Sequence, residues 1–418
     1  MNHLRLPGGG SKGEAMSRFT PWALVALCFA VGVASRSIAD SFAVFVPALQ
    51  QGFEASRSSI TLIYSFALLV SGTGAPLAGW IVDRFGLRAL TVTGMAAAAL
   101  ASFSASQATQ LWQLYLGLGA VMGFSAASLT GVLSSSILGR WFPSRRLGVA
   151  LAVAWSATGV GAIVILPLAE HVIATAGWRH AYVIFSLISA AFVPLLLVLP
   201  WKRIAAGAPG LQRIHAAAAT GMTVREAVRD WPFWALTSSF GFTSLGIFSL
   251  MPQSMVYLLE RGMDGAYAAR ALAVAGFLMP LGMVGFSWLA DRGGRKTAAL
   301  LAYACSIVGV GMLAMVQGPH DDVWLWLYVL LFGGSQGSRG PMISTLATLR
   351  YRGANFGRIY GLISIGTGIG GFLGAWVGGL LHDLTGGYAA VMIFSACALA
   401  LAATSLGTEA GAREKLSR

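Results

Sequence analysis

Runs of 18 to 28 predominantly apolar residues recur from one end of this chain to the other, separated by short polar connections. A hydrocarbon core of about 30 Å takes roughly 20 helical residues to cross, so each run is long enough to span a bilayer as a helix. The pattern predicts twelve spans: 22–49, 58–82, 89–106, 111–138, 148–174, 179–200, 233–259, 266–290, 297–317, 323–349, 357–383 and 387–407. The first run is too long for a cleaved signal peptide and no small-residue cleavage site follows it, so it reads as a permanent helix. Met16, directly ahead of the first run, is an alternative start.

Composition agrees with this reading. Of 418 residues, 56% are hydrophobic and 10% charged, with 53 glycines. A net charge of +13 in a soluble chain would point to nucleic acid, but here its placement has another meaning. By these spans, 22 of the 28 basic residues fall in alternate connections on one side, among them Arg140, Arg145, Arg146, Lys202, Arg203, Arg350, Arg352 and Arg358. Only Arg57, Arg179, Arg261 and Arg270 face the other way. The positive-inside rule then places both termini in the cytoplasm, with a plasma-membrane bilayer and no nucleic acid as the expected surroundings. Cys28, Cys305 and Cys397 all sit in apolar runs without paired spacing, so neither a disulfide framework nor a metal or cofactor site is expected.

The chain also repeats itself. GWIVDRFGLRAL at 79–90 returns as GFSWLADRGGRKTAAL at 285–300, with Asp83 and Asp291 208 positions apart. Thr158, Gly159 and Gly161 match Thr367, Gly368 and Gly370 at an offset of 209. One offset for two segment pairs predicts two pseudo-symmetric six-helix bundles, 22–200 and 233–407. A cytoplasmic linker at 201–232 joins them, with tails at 1–21 and 408–418. The linker ends in TVREAVRDWP, where Thr223 and Glu226 have capping-box spacing ahead of a short surface helix.

Gly79, Asp83, Arg84, Gly86 and Arg88, repeated as Gly285, Asp291, Arg292, Gly294 and Arg295 with Lys296, give the chain its resemblance to the major facilitator superfamily. The resemblance covers residues 18–407 and implies an all-α membrane protein of twelve helices that works by rocking its halves. An acid at a helix end beside arginines is suited to latch neighbouring helices through charge-assisted bonds and release them, so these residues, Lys296 aside, are the expected gate.

Two arginines stand near the middle of spans: Arg36 in the first and Arg339 in the tenth. A fixed guanidinium at mid-bilayer costs about 2.5 to 3.5 kcal/mol on the insertion scale, which makes each a candidate functional group. The superfamily resemblance implies that spans one, four, seven and ten line the central cavity, so the pair reads as a clamp for an anion, with guanidinium forks matched to a carboxylate; a structural Arg339, capped by carbonyls or held across helices, is the alternative. Asp40 is one turn after Arg36 and is the expected proton-coupling group, with a purely structural Arg36–Asp40 ion pair as the alternative. Helical spacing puts Phe332, Ser335, Gln336 and Met342 on the face of Arg339, with Ser335 and Gln336 as secondary contacts. Tyr64 and Trp155 are candidate aromatic walls.

Within the superfamily, ASRSIADSFAVFVPAL at 34–49, RWFPSRRLGVALA at 140–152 and FGRIYGLISIGTGIGG at 356–371 resemble the bacterial monocarboxylate porter and oxalate/formate exchanger branch. The branch implies transport of small carboxylates coupled to protons, and commonly a basic residue deep in span eight or eleven. Here 272–290 and 359–383 contain neither Lys nor Arg, and Arg339 is the basic residue that could take that place. Lacking a nucleotide fingerprint, the chain is expected to be a gradient-driven carrier of an organic anion, monomeric and not an enzyme. An exporter of drugs or other amphipathic compounds in the same fold is the alternative, and a membrane receptor or enzyme a remote one.

Overall fold

The structure is a computed structural model and describes residues 21–208 and 221–416; the side chains of Arg36, Ser37, Asp40, Arg57, Ala162 and 409–416 lie outside the described residues. Every regular element among the described residues is helical. Among the described residues, nine helices are long and apolar enough to cross a membrane by length and composition, and the other three spans are assembled from shorter pieces.

Span 1 runs Pro21–Asp40 and resumes as Phe42–Phe53; span 2 is Arg57–Thr73 continued into Ala75–Ser106, which also contains span 3; span 4 is Leu111–Trp141. Span 5 is Leu147–Trp155 plus Ala157–Ala176, and span 6 is Trp178–Val198. In the second half, span 7 is Trp231–Glu260, span 8 Gly265–Gly293 and span 9 Arg295–Ala314. Span 10 runs from Asp322 to Tyr328 and on to Arg339–Arg350, span 11 is Phe356–Thr385 and span 12 Ala389–Leu416. Only 33% of the most apolar window of span 6 and 22% of that of span 8 is buried, so their leucines and phenylalanines, such as Leu187, Phe277 and Leu281, face outward, as lipid-facing helices require.

The turns between spans 2 and 3 and between spans 8 and 9 show what the motif glycines do. Gly86 has φ 84° and Gly294 φ 103°, a region where a Cβ is strained. Span 2 is interrupted at Gly74, and the breaks in spans 1, 5 and 10 each carry a serine that donates to the carbonyl three residues back: Ser41 to Ile38, Ser156 to Val153 and Ser338 to Ser335, each at 2.7 Å. Such hydroxyls satisfy carbonyls that the broken ladder frees inside the bilayer. Spans 4 and 10, which the repeat relates, carry π-bulges at Tyr115–Val121, Ser128–Val132 and Val329–Gly333.

Small residues bring helices to backbone contact. Gly366, Gly370, Gly374 and Gly378 lie four apart on span 11, against the carbonyls of Thr237, Gly241, Leu245 and Ser249, four apart on span 7. In a bilayer no hydrophobic force draws helices together, so this close dispersion contact is what holds them. Between the halves, Gly72 meets Gly368 and Gly79 meets Gly357 where span 2 crosses span 11; Gly159 meets Pro280 where span 5 crosses span 8.

Both ends of the linker are held at the face bearing the charge-rich connections, here termed the basic face. Arg140 Nη1 and Trp141 Nε1, ending span 4, donate to the carbonyls of Ala205 and Ile204 at 2.9 and 2.8 Å. Arg350, ending span 10, donates Nε and Nη2 to the two oxygens of Asp230 at 2.9 and 3.1 Å, and Tyr351 adds its hydroxyl at 3.2 Å. Thr223 and Glu226 form the reciprocal cap that their spacing predicts, ahead of the helix Val224–Arg229.

Candidate functional site

Arg339 begins the last segment of span 10, just after the break at Gly337 and Ser338. Its side chain is fully buried. Nη2 donates to Ser306 Oγ at 2.6 Å on span 9, and the guanidinium carbon sits 5.0 Å from the centre of the Tyr303 ring. Hydrogen-bond direction follows from chemistry. Arg339 can only donate, so Ser306 accepts from it and donates its own hydroxyl to Ser335, which donates in turn to the Leu331 carbonyl at 2.6 Å. Tyr303 in turn shares its hydroxyl with Thr243 at 2.7 Å and Ser239 at 3.1 Å on span 7. Nε and Nη1 of Arg339 are buried and have no partner, and no acid pairs with this cation among the described residues.

That geometry corrects one expectation. Arg339 and Ser335 do come together, but the face they share with Phe332, which packs on Gly309, turns toward span 9 inside the C-terminal half and not toward the seam between halves. Gln336 is buried and takes no part in the hydroxyl chain. Tyr64 lies in the other half, stacked 6.2 Å from Phe42 beside a small apolar cavity lined by Ile63, Met122 and Tyr182. Trp155 is at the seam, against Gly131 of span 4 and Gly340 of span 10. The aromatic walls are therefore not in one pocket with Arg339. Arg36 and Asp40 occupy the last turns before the break in span 1, and their side chains lie outside the described residues.

The gate residues divide more sharply. Asp83 reaches from span 2 to the start of span 11, where its two oxygens accept from the backbone N–H groups of Gly357 at 3.0 Å and Arg358 at 2.9 Å. Asp291 does the same at the start of span 5, accepting from Val149 N–H at 3.1 Å with Gly148 packed against its carboxylate. The first N–H groups of a helix have no partner within it and carry partial positive charge, so each carboxylate caps a helix of the opposite half. Arg295 crosses the same seam to donate to the Ser144 carbonyl at 2.6 Å. Arg84 and Arg292 are not in these latches: they lie over Trp80 at 6.0 Å and Trp288 at 4.3 Å, each four residues earlier on its own helix. Arg88 is exposed, and a Cβ on Gly285 would meet open space, so neither makes a seam contact of the kind Asp83 and Gly79 make.

What the sequence reading missed is the partner. Gly148 and Val149 stand 209 positions before Gly357 and Arg358, the same offset as the other repeated segment, so each aspartate and each cap belong to matching repeats. Backbone N–H groups leave no side-chain signature, and the offset was the available signal.

Comparison with known proteins agrees with this geometry. The family model of the Major Facilitator Superfamily matches residues 24–357, and the chain belongs to that superfamily. Monocarboxylate transporter 13 of Bos taurus is 28% identical over 380 residues, 89% of this chain and 85% of that one. Monocarboxylate transporter 11 of Homo sapiens is 28% identical over 396 residues, 90% of this chain and 79% of its own. A crystal structure of a double-tryptophan mutant of XylE superposes with a TM-score of 0.77 at 15% identity, covering 93% of this chain and 95% of its own. The chain is an integral membrane secondary transporter for a small molecule, not an enzyme.

Proposed function

We propose that this transporter carries a small organic anion, a mono- or dicarboxylate, across the bacterial inner membrane by alternating access coupled to protons, with the basic face in the cytoplasm. The observation that carries the reading is Arg339: a cation inside a membrane-spanning bundle, with two donor nitrogens unused and, among the described residues, no acid beside it. A buried charge without a counter-ion is costly, and an anionic cargo is the partner that would relieve it. The names of the relatives, monocarboxylate transporters, support the same class of cargo.

In this reading the structure is the state closed at the basic face, because the Asp83 and Asp291 caps are engaged. Cargo enters from the opposite face. Access to Arg339 then requires the lower part of span 10 to turn at its Gly337–Ser338 break, exchanging the Ser306 hydroxyl for a carboxylate oxygen. Arg36 supplies the second positive charge and Asp40, one turn away, takes the proton. Releasing the two caps lets the halves rock and opens the basic face.

Uptake of labelled carboxylates into proteoliposomes, with and without an imposed pH gradient, tests the proposal. Arg339→Gln is expected to abolish uptake while the protein still inserts. Asp40→Asn is expected to lose accumulation driven by the gradient and to keep exchange of cargo for cargo. Full uptake by Arg339→Gln would remove the anion assignment.

A further inference from the structure

Trp155 sits where four spans from both halves converge, and its contacts are organised by the repeat. A Cβ on Gly340 of span 10 would come within 2.5 Å of Cζ3 and 3.1 Å of Cε3 of its ring, and a Cβ on Gly131 of span 4 within 3.4 Å of Cζ2. Cζ2 and Cε3 are opposite corners of the six-membered ring, so the ring is held between the two helices. Gly131 and Gly340 are 209 positions apart and are therefore the same residue of the two repeats. At Gly340 nothing but hydrogen fits while the indole is in place, whereas at Gly131 the indole lies at van der Waals distance and it is the Tyr360 hydroxyl that a Cβ would strike.

Two further contacts sit on the same faces of spans 4 and 10. Tyr360 of span 11 donates or accepts at Ser344 of span 10 at 2.7 Å, and its hydroxyl oxygen would be 2.8 Å from a Cβ on Gly131. Farther toward the basic face, Gly139 of span 4 meets the methyl of Thr348 on span 10, again at an offset of 209. Trp155 itself is the last residue before span 5 breaks, and the helix resumes at Ala157 with Ser156 turned onto the Val153 carbonyl. A bulky ring at a helix break can swing with little change to the helix on either side. Its Nε1–H is buried without a partner, so the closed position forgoes a hydrogen bond that a wetted position would restore.

We propose that Trp155 is the plug that closes the passage toward the basic face, that Gly131 and Gly340 are its seat, one from each half, and that the plug leaves the seat when that face opens. This rests on the halves rocking, but not on what they carry. A tryptophan serving only to fill the core of one half would have no need of matched glycines from both.

The test uses full-length protein in liposomes, its three cysteines replaced by serine and Thr348→Cys introduced; Thr348 is 2% exposed and lies past the plug. A membrane-impermeant maleimide applied at the basic face reports opening, with no substrate required. Parent protein should label slowly. Trp155→Ala and Gly340→Ala should each label roughly tenfold faster, within the range by which coupled conformational equilibria shift, and Gly131→Ala less so because its closest contact is the Tyr360 hydroxyl. The double variant Trp155→Ala/Gly340→Ala should label no faster than Trp155→Ala alone, since the added methyl then has no ring to strike. If Trp155→Ala does not fold, Gly340→Ala decides. Parent-like labelling in the single variants, or additive effects in the double, would overturn the plug. Because labelling needs no cargo, its failure is separable from a failure of the carboxylate assignment.

Discussion

The two halves agree at the basic face and differ in the middle of the membrane. Asp83 caps span 11 and Asp291 caps span 5 through backbone N–H groups at matching repeat positions, and Gly86 and Gly294 turn the chain beside them with φ of 84° and 103°. Yet the position of the second repeat that holds Arg339 is occupied in the first by Thr130, whose hydroxyl is buried and unpaired. Symmetry is kept where two bodies must separate and rejoin, and given up at the buried guanidinium of the second half, the group proposed above to meet the cargo. A rocking motion needs equivalent contacts on both sides of the axis, whereas a group packed inside one half is under no such constraint.

The largest expected effect comes from erasing the difference. Arg339→Thr makes the second half resemble the first at this position, and we expect uptake to fall by more than about 100-fold, the scale of losing a charge-assisted bidentate contact of about 3 kcal/mol. Measured by carboxylate uptake, Arg339→Lys should recover only part of this, because an ammonium is a point charge and lacks the fork. Equal uptake by Lys and Arg would reduce the site to net charge alone.

Next in size is the latch. Asp83 accepts two backbone N–H bonds and Asp291 one, with its second oxygen unpaired. A carboxylate at a partly buried helix N-terminus contributes up to about 2 kcal/mol, so Asp83→Asn should shift the closed state by roughly 10- to 30-fold and Asp291→Asn by less. Thiol labelling of Thr348→Cys from the basic face reads both. If Asp291→Asn opens the gate more than Asp83→Asn, the bond count is not what sets latch strength.

These two regions were unequally legible in the sequence. Apolar runs of spanning length, glycines and a constant offset report directly on burial and close approach, so twelve helices in two related halves followed from them, and the family comparison and the structure agree. Spacing also grouped Phe332, Ser335 and Arg339 on one face, which the structure keeps, but periodicity says which residues share a face and not which neighbour that face meets. Span 9, with Tyr303 and Ser306, turned out to be that neighbour. The latch arginines failed for a related reason. Arg84 and Arg292 stand next to the aspartates in sequence, but the chain reverses at Gly86 and Gly294, and each guanidinium folds back over the aromatic ring one turn earlier. The bonds the aspartates make go to backbone groups 274 and 142 residues away.

A smaller effect tests the turns. Gly86→Ala and Gly294→Ala place a Cβ at positive φ, at a cost of about 1 to 2 kcal/mol each, with nothing within 4 Å of the new methyl at Gly86 and only the Thr297 hydroxyl near it at Gly294. The penalty is therefore conformational and should appear as a lower thermal midpoint in detergent, similar for the two sites, with substrate affinity unchanged. A steric penalty at one site alone would show that the two turns are not equivalent.

The smallest expected effect is at the arginines beside the aspartates. An exposed guanidinium over an aromatic ring is worth about 0.5 to 1 kcal/mol, and Arg292 is nearer its ring, at 4.3 Å, than Arg84 is to either of its two, 6.0 Å from Trp80 and 5.8 Å from Phe85. Arg84→Gln and Arg292→Gln should leave the closed state within about threefold of the parent in the labelling assay, with the larger change at Arg292. Removing the rings gives the matching control: Trp288→Leu should cancel most of the Arg292→Gln effect, since no cation–π contact is left to lose. Should either glutamine variant open the gate as far as Asp83→Asn does, the arginine reaches the latch in a state other than this one, and the division drawn here between an aspartate that holds the halves and an arginine that anchors its own helix fails.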